Sequence, residues 1–176
     1  MIQKITDALR DAVTAFLTAN YSTVADIASA PVYILPDFNP DDKDGYLKFN
    51  AATNYFFVLH NISDVMDEGA PAKYLKMRYA CDLTICRKGV HVWDATNKQD
   101  TLAQGSTDPL VTSMGAVATN FAKYLSTFPK GLLEDTSVYQ AYRTRVQSIG
   151  PIKYTGLFAH KTLDIESLRM ETITIS

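Results

Sequence analysis

His60, His91 and His160 are the only histidines in the 176 residues, and they stand 31 and 69 positions apart. Compact metal motifs set their ligands a few residues from one another, so these spacings match none of them. Only folding from separate elements could bring the three together. His60 closes the apolar run Asn54–His60 and is expected to be a hydrogen-bonded structural histidine. Asp164 and Glu166 share a strand face at two-residue spacing, as a carboxylate pair for acid–base work requires; a solvated strand edge has the same pattern. A ligand-binding or enzymatic reading would gather His60, His160 and Asp164 around one pocket. No phosphate-binding glycine loop, dinucleotide fingerprint, H-E-x-x-H, G-x-S-x-G or paired C-x-x-C is present. Catalytic residues, a cofactor and a metal are therefore not expected, and the chain does not read as an enzyme.

Cys81 and Cys86 lie five apart within a strand-like run, which turns them to opposite faces. They are expected to be reduced, partly buried and unpaired, as in a reducing cytoplasm. Tyr139 and Tyr142 beside Arg143 and Arg145 could stack on bases, but no RNP-like pattern accompanies them. Trp93, next to Asp94, could be a contact residue on a loop, but a cap on the core edge is the better reading.

Hydrophobic periodicity shows what must position these residues. Ile2, Ile5, Leu9, Val13, Phe16 and Leu17 recur at helical spacing, opposite Lys4, Asp7, Arg10 and Asp11, which predicts an amphipathic helix over 2–19. Val32–Leu35, fenced by Pro31 and Pro36, predicts a short strand. The turn-forming run Asp37–Gly45 predicts an exposed acidic loop. Asn54–His60, apolar on both faces, predicts a central strand. In Tyr74–Arg87, Leu75, Met77, Tyr79, Cys81, Leu83 and Ile85 alternate with Lys76, Arg78, Ala80, Asp82, Thr84 and Cys86, a strand with one core face and one wet face. Gly89–Gly105 reads as a weak connection or hairpin. Asp108 and Pro109 open a second amphipathic helix on the stripe Leu110, Met114, Val117, Phe121, Tyr124, Leu125 and Phe128, which Pro129 and Gly131 end. Tyr142–Ser148, Pro151–Phe158 and Leu163–Ser176 predict three further strands. The fold class is α+β, a mainly antiparallel β-sheet with two amphipathic helices packed on one face, in a single domain over 1–176.

Composition agrees with an ordinary soluble domain: 47% hydrophobic residues, 20% charged, and 17 Lys+Arg against 19 Asp+Glu. A chain this long buries roughly 70% of its unfolded surface without staples. Asp7 and Asp11 interrupt any signal-peptide core, and no run of about 18 uncharged apolar residues occurs. Neither secretion nor a membrane span is expected, and the sequons at Asn20 and Asn61 carry no weight. The net charge of -2 excludes a strongly basic, sequence-independent nucleic-acid binder.

The charge is nevertheless segregated. From Asp26 to Pro71, Asp26, Asp37, Asp41, Asp42, Asp44, Asp64, Asp67 and Glu68 face only Lys43 and Lys48; from Ala72 to Lys88, Lys73, Lys76, Arg78, Arg87 and Lys88 face only Asp82. Opposed surfaces of this kind suit head-to-tail association of identical subunits; solvated loops and a solvated strand face with no partner have the same charge pattern.

A leading amphipathic helix, the strand Ala30-Pro31-Val32-Tyr33-Ile34, a loop, the long alternating strand Tyr74–Arg87, a helix opened by Asp108-Pro109-Leu110 and a terminal strand Leu168–Ile175 together resemble the bacteriophage tail terminator family, the tail completion or head-tail joining proteins. The likeness spans most of the chain, with extra material around Gly89–Gly105 and Lys130–Ser137. It implies a structural virion protein without an active site or cofactor, assembled in the host cytoplasm and resident in the tail or neck. Its subunits would form a homo-oligomeric ring, typically a hexamer, that caps the tail tube and docks it to the connector, neck or portal adaptor. The lumen would be acidic, so that DNA slides through without specific binding. On that expectation Asp37, Asp41, Asp42 and Asp44 form the lumen- or partner-facing loop, and Lys73, Lys76, Arg78, Arg87 and Lys88 an inter-subunit basic surface.

Overall fold

In a computed structural model of the protein, which describes residues 2–49, 55–66, 74–88, 91–94, 96, 99–102, 109–128 and 139–172, the first apolar stripe forms helix α1 (Ile2–Asn20). A single-turn helix α2 (Ala25–Ala28) follows, and the second stripe forms α3 (Pro109–Leu125). The strands are β1 (Val32–Ile34), β2 (Tyr55–Met66), β3 (Tyr74–Lys88), β4 (His91–Asp94), β5 (Gln99–Leu102), β6 (Tyr139–Thr155) and β7 (Phe158–Thr172). Five of them form one sheet in the order β1-β2-β3-β7-β6, while β4 and β5 pair as a separate ribbon. Only β1 runs parallel to its neighbour, so the architecture is α+β with a mainly antiparallel sheet.

Strand parity decides which face each residue serves. Tyr55, Phe57 and Leu59 of β2, Tyr79, Cys81, Leu83 and Ile85 of β3, and Ala159, Leu163 and Ile165 of β7 are buried in one cluster with α1 and α3. Phe16 of α1 packs 5.3 Å from Phe121 and 5.4 Å from Tyr124 of α3, joining the two helices over the sheet. Each fully buried aromatic or leucine of this cluster contributes roughly 1.5–3 kcal/mol. Both predicted helices therefore lie on one face, and Cys81 and Cys86 point to opposite faces as free thiols.

The second face departs from the sequence reading. A parallel pair needs a long crossover, and residues 35–54 supply it. Its described part, 35–49, contains a short 3-10 helix (Lys43–Lys48) and lies on the sheet face opposite the long helices. Phe38 and Tyr46 are buried there against Phe56, Val58 and Cys86, with Tyr33, Leu35, Phe49 and Phe158 packed around them. The predicted exposed loop is thus exposed at its carboxylates but anchored by its aromatics. For the same reason the even-numbered face of β3 is not wet throughout, since Thr84 and Cys86 are fully buried.

At the C-terminal end, two long strands replace the three predicted. Pro151 does not break β6, because it sits on an edge strand beside a register shift between Ile149 and Ile152. The hairpin turns at Gly156 (φ +54°) and Leu157, with glycine at the first central position as a type II′ turn requires. Residues beyond Thr172 lie outside those described.

Candidate functional site

The crossover and the second sheet face enclose an open hollow of about 500 Å³. Its walls include Asp37 and Asp41 from the crossover, His60 and Asn61 from β2, Asp82 from β3, Lys153 from β6, and His160 and Thr162 from β7. A β-bulge between His60 and Ser63 shapes the rim. There Asn61 adopts φ +48°, donates its backbone N–H to Pro36 O (3.0 Å) and its side-chain amide to Asp82 Oδ2 (3.1 Å). Asparagine tolerates this left-handed conformation better than most residues.

Both histidines are almost fully buried, His60 at 4% and His160 at 1% exposure. His60 Nε2 lies 2.7 Å from Thr84 Oγ1, which lies 2.8 Å from Thr162 Oγ1, a hydroxyl chain running across three strands. His160 Nε2 lies 2.9 Å from Thr155 Oγ1 and 3.8 Å from Asp41 Oδ1. Asp41 also meets Lys153 Nζ at 3.4 Å. Burial disfavours the imidazolium and holds both histidines below the ordinary value, against the opposing pull of Asp82 on His60 and of Asp41 on His160. His60 is thus the hydrogen-bonded histidine that its place at the end of an apolar run suggests.

Asp164 does not join them. It lines a separate shallow depression of about 190 Å³ with Ser63, Val65, Arg78, Ala80, Gln147 and Glu166. Directly across the strands from it stands Asp82. Burial, Asp82 and Glu166 together hold its carboxyl above the usual range. Glu166 is occupied by Gln147 and by Arg145 at 3.7 Å, so Asp164 and Glu166 are neighbours on a wet strand face. His91, Trp93, Tyr139, Tyr142 and Arg143 have backbone in described strands, but their side chains lie outside the described residues. Among the described residues, no three His, Cys, Asp or Glu side chains are grouped to hold a metal. None of the described helices is long and apolar enough to cross a membrane.

The four loop aspartates are all exposed, yet two have local work. Asp42 accepts the Asp44 N–H (3.0 Å) and caps the 3-10 helix, while Asp41 engages Lys153 and His160. Asp37 and Asp44 carry the freer charge. The predicted basic surface is divided by the pleat: Lys76, Arg78 and Lys88 share the second face, at opposite ends of a 15-residue strand, while Arg87 points to the helix face. Lys73 lies outside the described residues.

Asn61, Asp82, Thr84, Lys153 and Thr162 were not legible as site residues in sequence, and Asp41 was singled out only as a lumen- or partner-facing carboxylate, not as a partner of His160 and Lys153. The available signals were parity on β3 and β7, which puts Asp82, Thr84, His160 and Thr162 on one face, and two aromatics, Phe38 and Tyr46, inside an otherwise polar run.

No protein-family model matches the chain, and no curated protein matches it. Among solved structures, one that covers 97% of this chain and 97% of its own aligns with a TM-score of 0.41 at 13% identity, a likeness too loose to carry an argument.

Proposed function

We propose that this chain is a ring-forming structural subunit of the tail terminator kind, which closes a finished bacteriophage tail tube and joins it to the head connector or neck. What supports the reading is the order of elements: a leading helix, a short edge strand, a long antiparallel ribbon, a second helix on the same face and a closing hairpin. In the outer half of β2, Asn61, Ser63, Val65 and Met66 are exposed, which leaves strand surface for a neighbouring subunit. On this reading the partners are further copies of the chain, the tube protein and the connector. DNA passes through the ring without specific binding, and the protein resides in the virion neck after assembly in the host cytoplasm.

Negative-stain imaging of the purified protein, alone and with tail tubes, tests the proposal. Rings, or caps at tube ends, are expected; a strict monomer that ignores tubes overturns it. Asp37→Lys with Asp44→Lys tests the acidic lumen, because neither carboxylate is needed for the Asp41 clasp. Impaired infectivity with normal assembly is expected, and unchanged infectivity removes the lumen assignment.

The hollow around His60 and His160 favours a second reading, a small ligand-binding domain. Concave sites with a few convergent polar groups are where ligands bind, although this one is open and lacks Asp164. Saturable perturbation of the two imidazole resonances by a small-molecule library would support it.

A further inference from the structure

The crossover 35–49 is held on the sheet chiefly by aromatic packing: Phe49 lies 4.2 Å from Phe56 and 5.1 Å from Tyr33, and Tyr46 lies 6.4 Å from the His160 ring. Phe38 meets His60 edge-on at 5.4 Å, Tyr46 stacks on Phe158 at 4.3 Å, and Leu35 and Asn61 donate backbone N–H groups to Leu59 O and Pro36 O. Among the described residues, the ion pair that ties it to the sheet is Asp41 to Lys153, both more than half exposed, with His160 Nε2 3.8 Å from the same carboxylate. Exposed pairs of this kind are weak in water. Directly beneath lie the two buried histidines.

We propose that residues 35–49 form an acid-released strap, in which protonation of His60 and His160 lifts the crossover off the second sheet face and uncovers Phe56, Val58 and Cys86 while α1 and α3 stay in place. An imidazolium in the closed state is buried, whereas in the released state it is hydrated. The released form therefore binds protons more readily, and acid must favour it.

The neighbouring charges set how far this goes. His60 faces Asp82 of β3, and Asp164 of β7 stands directly across from Asp82 on the same face. His160 faces Asp41 of the crossover, Lys153 of β6 and His60 itself. Asp37, Asp42, Lys43, Asp44 and Lys48 of the crossover are exposed to water. Asp41 and Asp82 favour the protonated rings, while burial, Lys153 and the repulsion between two imidazoliums oppose them. Burial is the largest influence on both rings. Among the described residues the helix-side core contains no histidine, so the same protons leave α1 and α3 seated. This inference does not depend on the ring reading.

The two thiols test it. Cys86 lies under the strap and Cys81 under the helices, each at 1% exposure or less. The full chain is labelled with 4,4′-dithiodipyridine, which reacts with thiols in acid, and each rate is normalised to that of the unfolded chain at the same pH. Lowering the pH from about 7.5 to about 5 is expected to raise Cys86 labelling roughly tenfold or more while Cys81 stays protected. In the double variant His60→Gln/His160→Gln, Cys86 should remain protected in acid. Should that variant not fold, Asp41→Asn, which removes the clasp, is expected to move Cys86 labelling to higher pH. Parallel labelling of both cysteines, a Cys86 that stays protected at pH 5, an unaltered acid response in the double variant or an unshifted one in Asp41→Asn overturns the proposal.

Discussion

The hydroxyl of Thr6 in α1 and the phenol of Tyr79 in β3 lie 2.9 Å apart, both fully buried, across 73 positions of chain. They tie the first helix to the centre of the sheet by a polar contact inside an apolar layer. Burial raises the phenol's pKa, so it stays protonated and able to donate or accept. Removing either partner takes this hydrogen bond from the other, at a cost of about 0.5–1.5 kcal/mol, and removing both costs less than the two losses together. Thr6→Val and Tyr79→Phe are each expected to lower the urea midpoint, and the double variant by less than their sum. Strict additivity would show that the two groups do not interact.

The buried histidines give the chain a signed pH dependence. Their folded values lie below 6.5, so the unfolded state binds more protons in mild acid. Their contribution to stability is complete above about pH 6.5 and is lost as pH falls through the lowered folded values. Urea unfolding between pH 8 and 5 is expected to show a falling midpoint, with a shallower slope in His160→Gln. A midpoint that rises toward pH 5 would contradict this.

Asp164 works in the opposite direction. Its carboxyl is held above the ordinary 3.8 by burial, Asp82 and Glu166, so its folded form prefers the proton. The stability tied to that proton is complete below about 3.8 and lost as pH rises through the folded value. At pH 7 Asp164→Asn removes a like-charge pair set directly across the strands and should stabilise by a few tenths of a kcal/mol, since the site is exposed. Thermal unfolding at low salt, where the gain should be largest, measures it.

Two glycines should respond to alanine with opposite signs. Gly156 turns the β6–β7 hairpin at φ +54°, where a side chain is strained even though the nearest atom is an ordinary 3.5 Å away. Gly156→Ala is expected to cost about 1–2 kcal/mol. Gly115 sits within α3 with nothing within 4 Å of an added Cβ, and Gly115→Ala should gain about 0.5–1 kcal/mol. Chemical denaturation of the two variants side by side decides both signs.

Sequence by itself determined the elements whose burial is periodic. The helical stripe through Leu9, Val13 and Phe16, that through Met114, Val117 and Phe121, and the alternation through Tyr79, Cys81 and Leu83 are local patterns that a single buried face imposes. The opposite faces chosen by Cys81 and Cys86 followed from strand parity alone. Tertiary structure decided what covers the other face, because the connection between β1 and β2 must cross the sheet to make a parallel pair, and no local period records that. The same crossover brings Asp41 to Lys153 and His160, more than a hundred positions away, and turns an acidic turn-rich segment into the lid of a hollow. Asp164 shares a rung with Asp82 and His60 yet stays out of the hollow, because β3 stands between it and His60, and His160 lies four positions along β7.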